Sequence, residues 1–165
     1  MSDYCVAVMG GAHVRFFSLE PAEFPEFESG PRLVDIGELF NPNKEMAERD
    51  LYADSKTGRG RAPRGGPAHG YDDHRSQHET EFDRRFARKV MEEARRLALK
   101  NHARNVLLVT PVPMVGLLRQ EIGIITKHGI KVQKLSKDMT KFTSKQIHDC
   151  LAREKLLPEC KRPGI

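Results

Sequence analysis

Apolar and polar positions along the first forty residues follow the pattern of strands rather than helices. Tyr4–Met9 is a short apolar run, Gly10-Gly11 supplies a turn, and Val14–Leu19 returns, so residues 4–19 are expected to form a hairpin. Residues 21–31 carry two proline-separated acidic-aromatic units, Glu23-Phe24-Pro25 and Glu26-Phe27-Glu28. They read as a loop, because proline cannot donate to a strand ladder. Arg32–Phe40 alternates well enough for a third strand, which Asn41-Pro42-Asn43 ends.

The period then changes. From about Glu79 to Lys100, Phe82, Phe86, Val90, Ala94 and Leu97 recur every three or four residues, with Ala87, Met91 and Ala98 beside them. That spacing predicts an amphipathic helix whose apolar stripe is core, and whose other face carries Arg84, Arg85, Arg88, Arg95 and Arg96. Val106–Val109 is apolar without alternation, as in a central strand buried on both faces. Thr110-Pro111-Val112-Pro113 breaks it. Met114 to about His128 reads as a second helix and Ile130–Leu135 as a strand. Thr143-Ser144-Lys145-Gln146 fits a capping box ahead of a last helix through about Lys155. After the opening strands the order is αβαβα. The expected fold is therefore α/β, a single domain over residues 1–157 with a mixed sheet flanked by helices and a tail at 158–165.

Residues 41–78 show no sustained period and read as a long Gly/Arg-rich loop inserted in that domain. Within it, residues 57–70 hold five Gly, two Pro, three Arg and no acid. Such a stretch has little apolar area to bury, so the sequence predicts a mobile loop, and loops this long inside a compact domain are usually functional or disordered.

Composition narrows the classes. The chain has 165 residues, 38% hydrophobic, enough for one core. No apolar run approaches the roughly 20 residues of a membrane span. Met1-Ser2-Asp3-Tyr4 lacks the basic, then apolar, start of a secretory signal. Cys5, Cys150 and Cys160 are odd in number and have no CxxC spacing, which supports neither a disulfide framework nor a zinc site. A cytoplasmic location is expected. Net charge is +5 but uneven: residues 1–54 hold four basic and eleven acidic side chains, whereas residues 55–126 hold fourteen and eight and residues 127–165 ten and four. An acidic first third beside a basic remainder is a field that can steer an anionic partner.

The Gly/Arg loop is the first candidate for chemistry. Its glycines let the main chain approach a ligand, and Arg59, Arg61 and Arg64 present planar guanidinium groups suited to phosphate. No GxxxxGK[ST] phosphate loop is present. Asp72, Asp73, His74 and His78 form a second cluster. His74 and His78 would share a face if the helix began before them, but the same residues equally make an acidic helix start, and no metal is assigned. His13, His102, His128 and His148 are scattered and read as structural or exposed. No GxSxG, HExxH or Cys-His signature appears. A two-metal nuclease needs grouped carboxylates, and none lies between Val6 and Val14. No catalytic residue and no cofactor is assigned.

Several segments resemble the bacterial "protein required for attachment to host cells" family. They are Gly11-Ala12-His13-Val14-Arg15-Phe16-Phe17, the helix Glu81–Val90, Val106–Pro113, Leu117-Leu118-Arg119, Lys137-Asp138-Met139-Thr140 and Gln146-Ile147-His148. That family in turn resembles the middle domain of archaeal and eukaryotic peptide release factors and Pelota-like rescue factors, and so the ribonuclease-H-like group. In that domain a Gly-Gly-Gln loop precedes a long basic helix. Arg64-Gly65-Gly66-Pro67 stands in the corresponding place here, with Pro67 where the release factor has Gln. The Gln main-chain N–H is thought to stabilise the transition state of peptidyl-tRNA hydrolysis, and proline has none.

The resemblance implies a non-catalytic factor that binds the ribosome or structured RNA and no membrane. Arg59, Arg61, Arg64, Gly65, Gly66, Pro67 and His69 would enter an RNA cavity, and Arg84, Arg85 and Arg88 would extend the surface. The alternatives are a hydrolase acting on a tRNA ester or RNA through His69 or a metal at Asp73, His74 and His78, and a protein-interaction factor with an indirect part in attachment.

Overall fold

A computed structural model describes residues 3–10, 13–41 and 68–163. Strands β1 (Tyr4–Met9), β2 (His13–Glu20) and β3 (Arg32–Phe40) come first, followed by helix α1 (Ala68–Lys100) and strand β4 (Asn105–Thr110). Helices α2 (Val112–Gln120) and α3 (Gly123–Thr126), strand β5 (Lys131–Ser136) and helix α4 (Ser144–Arg153) complete the chain. The strands form one open sheet in the order β3-β2-β1-β4-β5. β1 pairs antiparallel with β2, and β2 with β3, whereas β4 runs parallel to both β1 and β5. The single-domain α/β fold with a mixed sheet expected from the sequence is the fold observed.

Successive strand residues serve opposite layers, as a period of two requires. Cys5, Ala7, Met9, Val14, Phe16, Val106 and Leu108 pack against Phe86, Val90, Met91, Ala94 and Leu97 of α1, with Leu118 of α2 and Ile125 of α3. On the other face, Val6, Val8, Phe17, Leu19, Leu107 and Val109 meet Met139 and the buried Ile147 and Leu151 of α4. Where β2 meets β3 the register shifts between Phe16, opposite Gly37, and Phe17, opposite Asp35. One extra residue, Ile36, is accommodated there, and its side chain turns towards the α1 layer.

Two elements differ from the sequence reading. Helix α1 begins at Ala68 rather than near Glu79, so residues 68–78 are helical and the periodless segment is shorter than 41–78. From Tyr71 to Glu81 the chain has no Gly or Pro and is almost wholly polar. Helix-compatible side chains carry such a segment without an apolar stripe, and apolar periodicity cannot register it. The helix expected from Met114 to His128 is instead two pieces. The amides of Glu121 and Ile122 close tight turns onto Leu118 and Arg119 (3.0 and 3.4 Å), which re-aims the chain so that Ile125 is fully buried.

The last helix is capped as its sequence requires. Thr143 Oγ1 accepts from the Gln146 amide (3.2 Å), and the Gln146 side chain accepts from the Thr143 amide (2.9 Å). Beyond it the tail folds back: Leu157 is buried, and Lys161 exchanges two backbone hydrogen bonds with Gly30 (3.1 and 2.8 Å).

Cys5 sits in the central strand with no exposed surface. Burial, with the Glu93 carboxylate adding to it, pushes its thiol up to about 12. The unfolded chain releases that proton near pH 8.5 while the folded chain keeps it, so this contribution to stability is whole below about pH 8.5 and is lost as pH rises towards 12. Urea unfolding between pH 8 and 10 is expected to show a fall of up to about 1.4 kcal/mol per pH unit from this group. Cys5→Ala should be less stable at pH 8 but decline less steeply; equal slopes would refute the assignment.

Candidate nucleic-acid interface

Helix α1 is much longer than the sheet it covers. Its 33 residues span about 50 Å at about 1.5 Å each, against about 20 Å for the six residues of β1 or β4. Among its described side chains, the buried ones run from Phe86 to Ala98, about the length of a strand. Its C-terminal end turns into the start of β4, so the backbone before Phe86 runs on towards the end at which β1 and β4 finish.

The first described arginines stand at that transition. Arg84, Arg85 and Arg88 are all exposed, and Arg88 lies four residues from Arg84 and three from Arg85, so it neighbours both on the helix surface. Arg88 Nε lies 3.6 Å from the Glu121 carboxylate, an exposed and weak pair. Further along, Arg96 binds Glu93 through Nε and Nη2, and this hydrogen bond holds the Glu93 carboxyl below its ordinary range. The basic face is therefore partly committed within the molecule, at Arg88 and at Arg96.

The structure brings Arg84, Arg85 and Arg88 together as the sequence implied. Arg59, Arg61, Arg64, Gly65, Gly66 and Pro67 lie outside the described residues. His69, expected in the loop, has its backbone in the first turn of α1. His74 and His78 stand on the same helix four residues apart; their side chains, with those of His69, Asp72 and Asp73, lie outside the described residues. Among the described residues no group of three or more His, Cys, Asp or Glu could hold a metal ion. His13 is structural: its Nε2 is 2.7 Å from a Glu38 carboxylate oxygen and its ring stacks on Phe40 at 4.5 Å.

One concave surface was missed in the sequence. A cleft of about 470 Å³ opens between the start of β3, the first turn of α4 and the C-terminal tail; Ser29, Arg32, Ser144, Lys145, His148 and Arg162 line it. The capping box located one of its walls, but no local signal links positions more than a hundred residues apart.

The fold and this surface define a single-domain α/β protein with a mixed open sheet and a long helix bearing a basic face. The chain belongs to the family described as "protein required for attachment to host cells", whose profile matches residues 5–151. No curated protein matches the chain. Among solved structures it is similar, with a TM-score of 0.44 and 13% identity, to a chain of the "Cryo-EM structure of CRISPR-Cas12f Ternary Complex". That similarity covers 95% of this chain and 36% of the other, so the protein spans about a third of that chain's length. Among the described residues no helix is long and apolar enough to cross a membrane.

Proposed function

We propose that the protein is a non-catalytic RNA-binding factor, related to the middle domain of translation release and rescue factors, that acts on the ribosome or on structured RNA in the cytoplasm. One observation carries the reading. Helix α1 starts at Ala68, within the last residues of the acid-free Gly/Arg stretch 57–70, and is about 30 Å longer than the strands it packs on. A long helix leading from the packed layer to a segment with Arg59, Arg61 and Arg64 has the form of an arm that can reach phosphates in a recess, and exposed Arg84, Arg85 and Arg88 continue its charge along the helix. Five strands in a mixed sheet between helices support the ribonuclease-H-like reading. Pro67 removes the amide that the release-factor mechanism uses, so binding rather than hydrolysis is the activity proposed.

The test is co-sedimentation with ribosomes and their subunits across a salt series, wild type beside Arg59/Arg61/Arg64→Ala. Each lost phosphate contact lowers the slope of log K against log salt by somewhat under one, so the triple variant should lose about 2–3 from it. Binding unchanged in the variant, or absent at every salt concentration, overturns the proposal. The family's description favours a second reading, a protein-interaction factor with an indirect part in attachment. A deletion strain whose attachment is restored equally by wild type and the triple variant would favour that reading over RNA binding.

A further inference from the structure

We infer that the cleft between β3, α4 and the tail binds a phosphate group carried on a small molecule. Three segments distant in sequence each bring a cation to it: Arg32 opens β3, Lys145 stands in the first turn of α4, and Arg162 lies in the tail. All three are exposed, and none of the three has an ion-pair partner among the described residues. Asp149 is the one carboxylate on the lining. Three unpaired cations around one hollow repel one another, and a doubly charged anion is what relieves them. Two are guanidinium groups, whose planar forks suit tetrahedral phosphate oxygens.

The remaining donors are placed for the same chemistry. The capping box commits the Gln146 and Thr143 amides to each other's side chains, which leaves the amides of Ser144 and Lys145 at the open first turn of a ten-residue helix. Ser29 and Ser144 add hydroxyls. His148 is 3% exposed and lines the cleft. Its Nε2 lies 2.7 Å from the Pro158 carbonyl, which can only accept, so Nε2 carries the proton. Nδ1 then has no hydrogen-bond partner among the described residues.

The wall that carries Arg162 is fixed rather than adventitious. The same His148 bond, the burial of Leu157 and the paired backbone of Lys161 and Gly30 hold the tail across the cleft. That tail lies beyond the residues 5–151 matched by the family profile. A volume of about 470 Å³ falls within the usual span of small-molecule sites, about 300–1,000 Å³.

Titration of the 15N-labelled full chain with inorganic phosphate and then pyrophosphate, at ionic strength held constant with sodium chloride, tests the site. Saturable shifts of the Ser144, Lys145 and Arg162 amides are expected, with pyrophosphate binding the tighter. Arg32→Ala/Arg162→Ala, both exposed positions, should weaken pyrophosphate at least tenfold with the rest of the spectrum unchanged. Lys127→Ala/Lys131→Ala, an equal loss of charge away from the cleft, should leave it within twofold. Shifts that sodium chloride alone reproduces, or equal weakening by the two double variants, would mean general ion screening and overturn the inference. Arg59/Arg61/Arg64→Ala should bind pyrophosphate like wild type, so this site and the RNA-binding reading fail separately.

Discussion

Phe16→Ala is expected to lower the unfolding free energy by about 3–5 kcal/mol, and Phe17→Ala by a similar amount. Both rings are wholly buried although the residues are neighbours in sequence. Phe16 fills the layer beneath α1, and Phe17 the layer beneath α4, where the Arg15 guanidinium also lies 4.9 Å from its ring centre. The backbone of the sheet separates the two cavities, so neither truncation lets neighbours relax into the other's space. The costs should therefore add to within about 0.5 kcal/mol, as for sites without shared partners. A sum of about 6–10 kcal/mol approaches the whole stability of an ordinary domain, about 5–15 kcal/mol. Each single variant should show a lower urea midpoint at unchanged slope, and the double variant should be largely unfolded without denaturant. A double variant no less stable than either single one would mean that the two layers behave as a single core.

Gly10→Ala should cost about 1–3 kcal/mol, and Thr140→Ser in the same chain should restore most of it. Gly10 ends β1, where its amide donates to the His13 carbonyl (2.8 Å), and Thr140 folds over it so closely that a methyl group would overlap Thr140 Cγ2. Thr140 cannot easily yield. Its amide and hydroxyl both donate to Asp138 Oδ1 (3.1 and 2.6 Å), and these bonds hold the Asp138 carboxyl below its ordinary range. Thr140→Ser removes only the obstructing methyl and keeps the hydroxyl. Thermal unfolding of the four members of the cycle measures the coupling. A Gly10→Ala variant as stable as wild type would show that the contact does not exist in solution.

The readings that succeeded rest on local physics. The unbroken run Val106–Val109 and the stripe Phe86, Val90, Ala94 and Leu97 each state a burial requirement that one element meets by itself, and Arg32–Phe40 forms the expected strand although Val34 and Phe40 stay exposed. The Thr143–Gln146 box is a hydrogen-bond exchange across three residues, legible because both partners are in view at once. The readings that fell short had no such signal. Residues 68–78 are helical without an apolar stripe, so periodicity gives no sign that His69 belongs to a helix. The interruption at Glu121 and Ile122 depends on how Ile125 fits beneath the sheet, which no periodicity records.

The candidate sites divide along the same line. Arg84, Arg85 and Arg88 could be named in advance because helical spacing alone makes Arg88 a neighbour of both Arg84 and Arg85. Arg32, Lys145, His148 and Arg162 could not, since the Lys161–Gly30 pairing and the His148–Pro158 bond bring them together across the chain. The sequence by itself determined the strands, the helices and the charge each face carries, because these follow from interactions within a few residues. Tertiary structure alone decided which strands are neighbours, which of Phe16 and Phe17 meets which helix layer, and where three distant cations share one cleft. Those outcomes depend on backbone pairing and layer packing between segments whose separation along the chain carries no record of their distance in space.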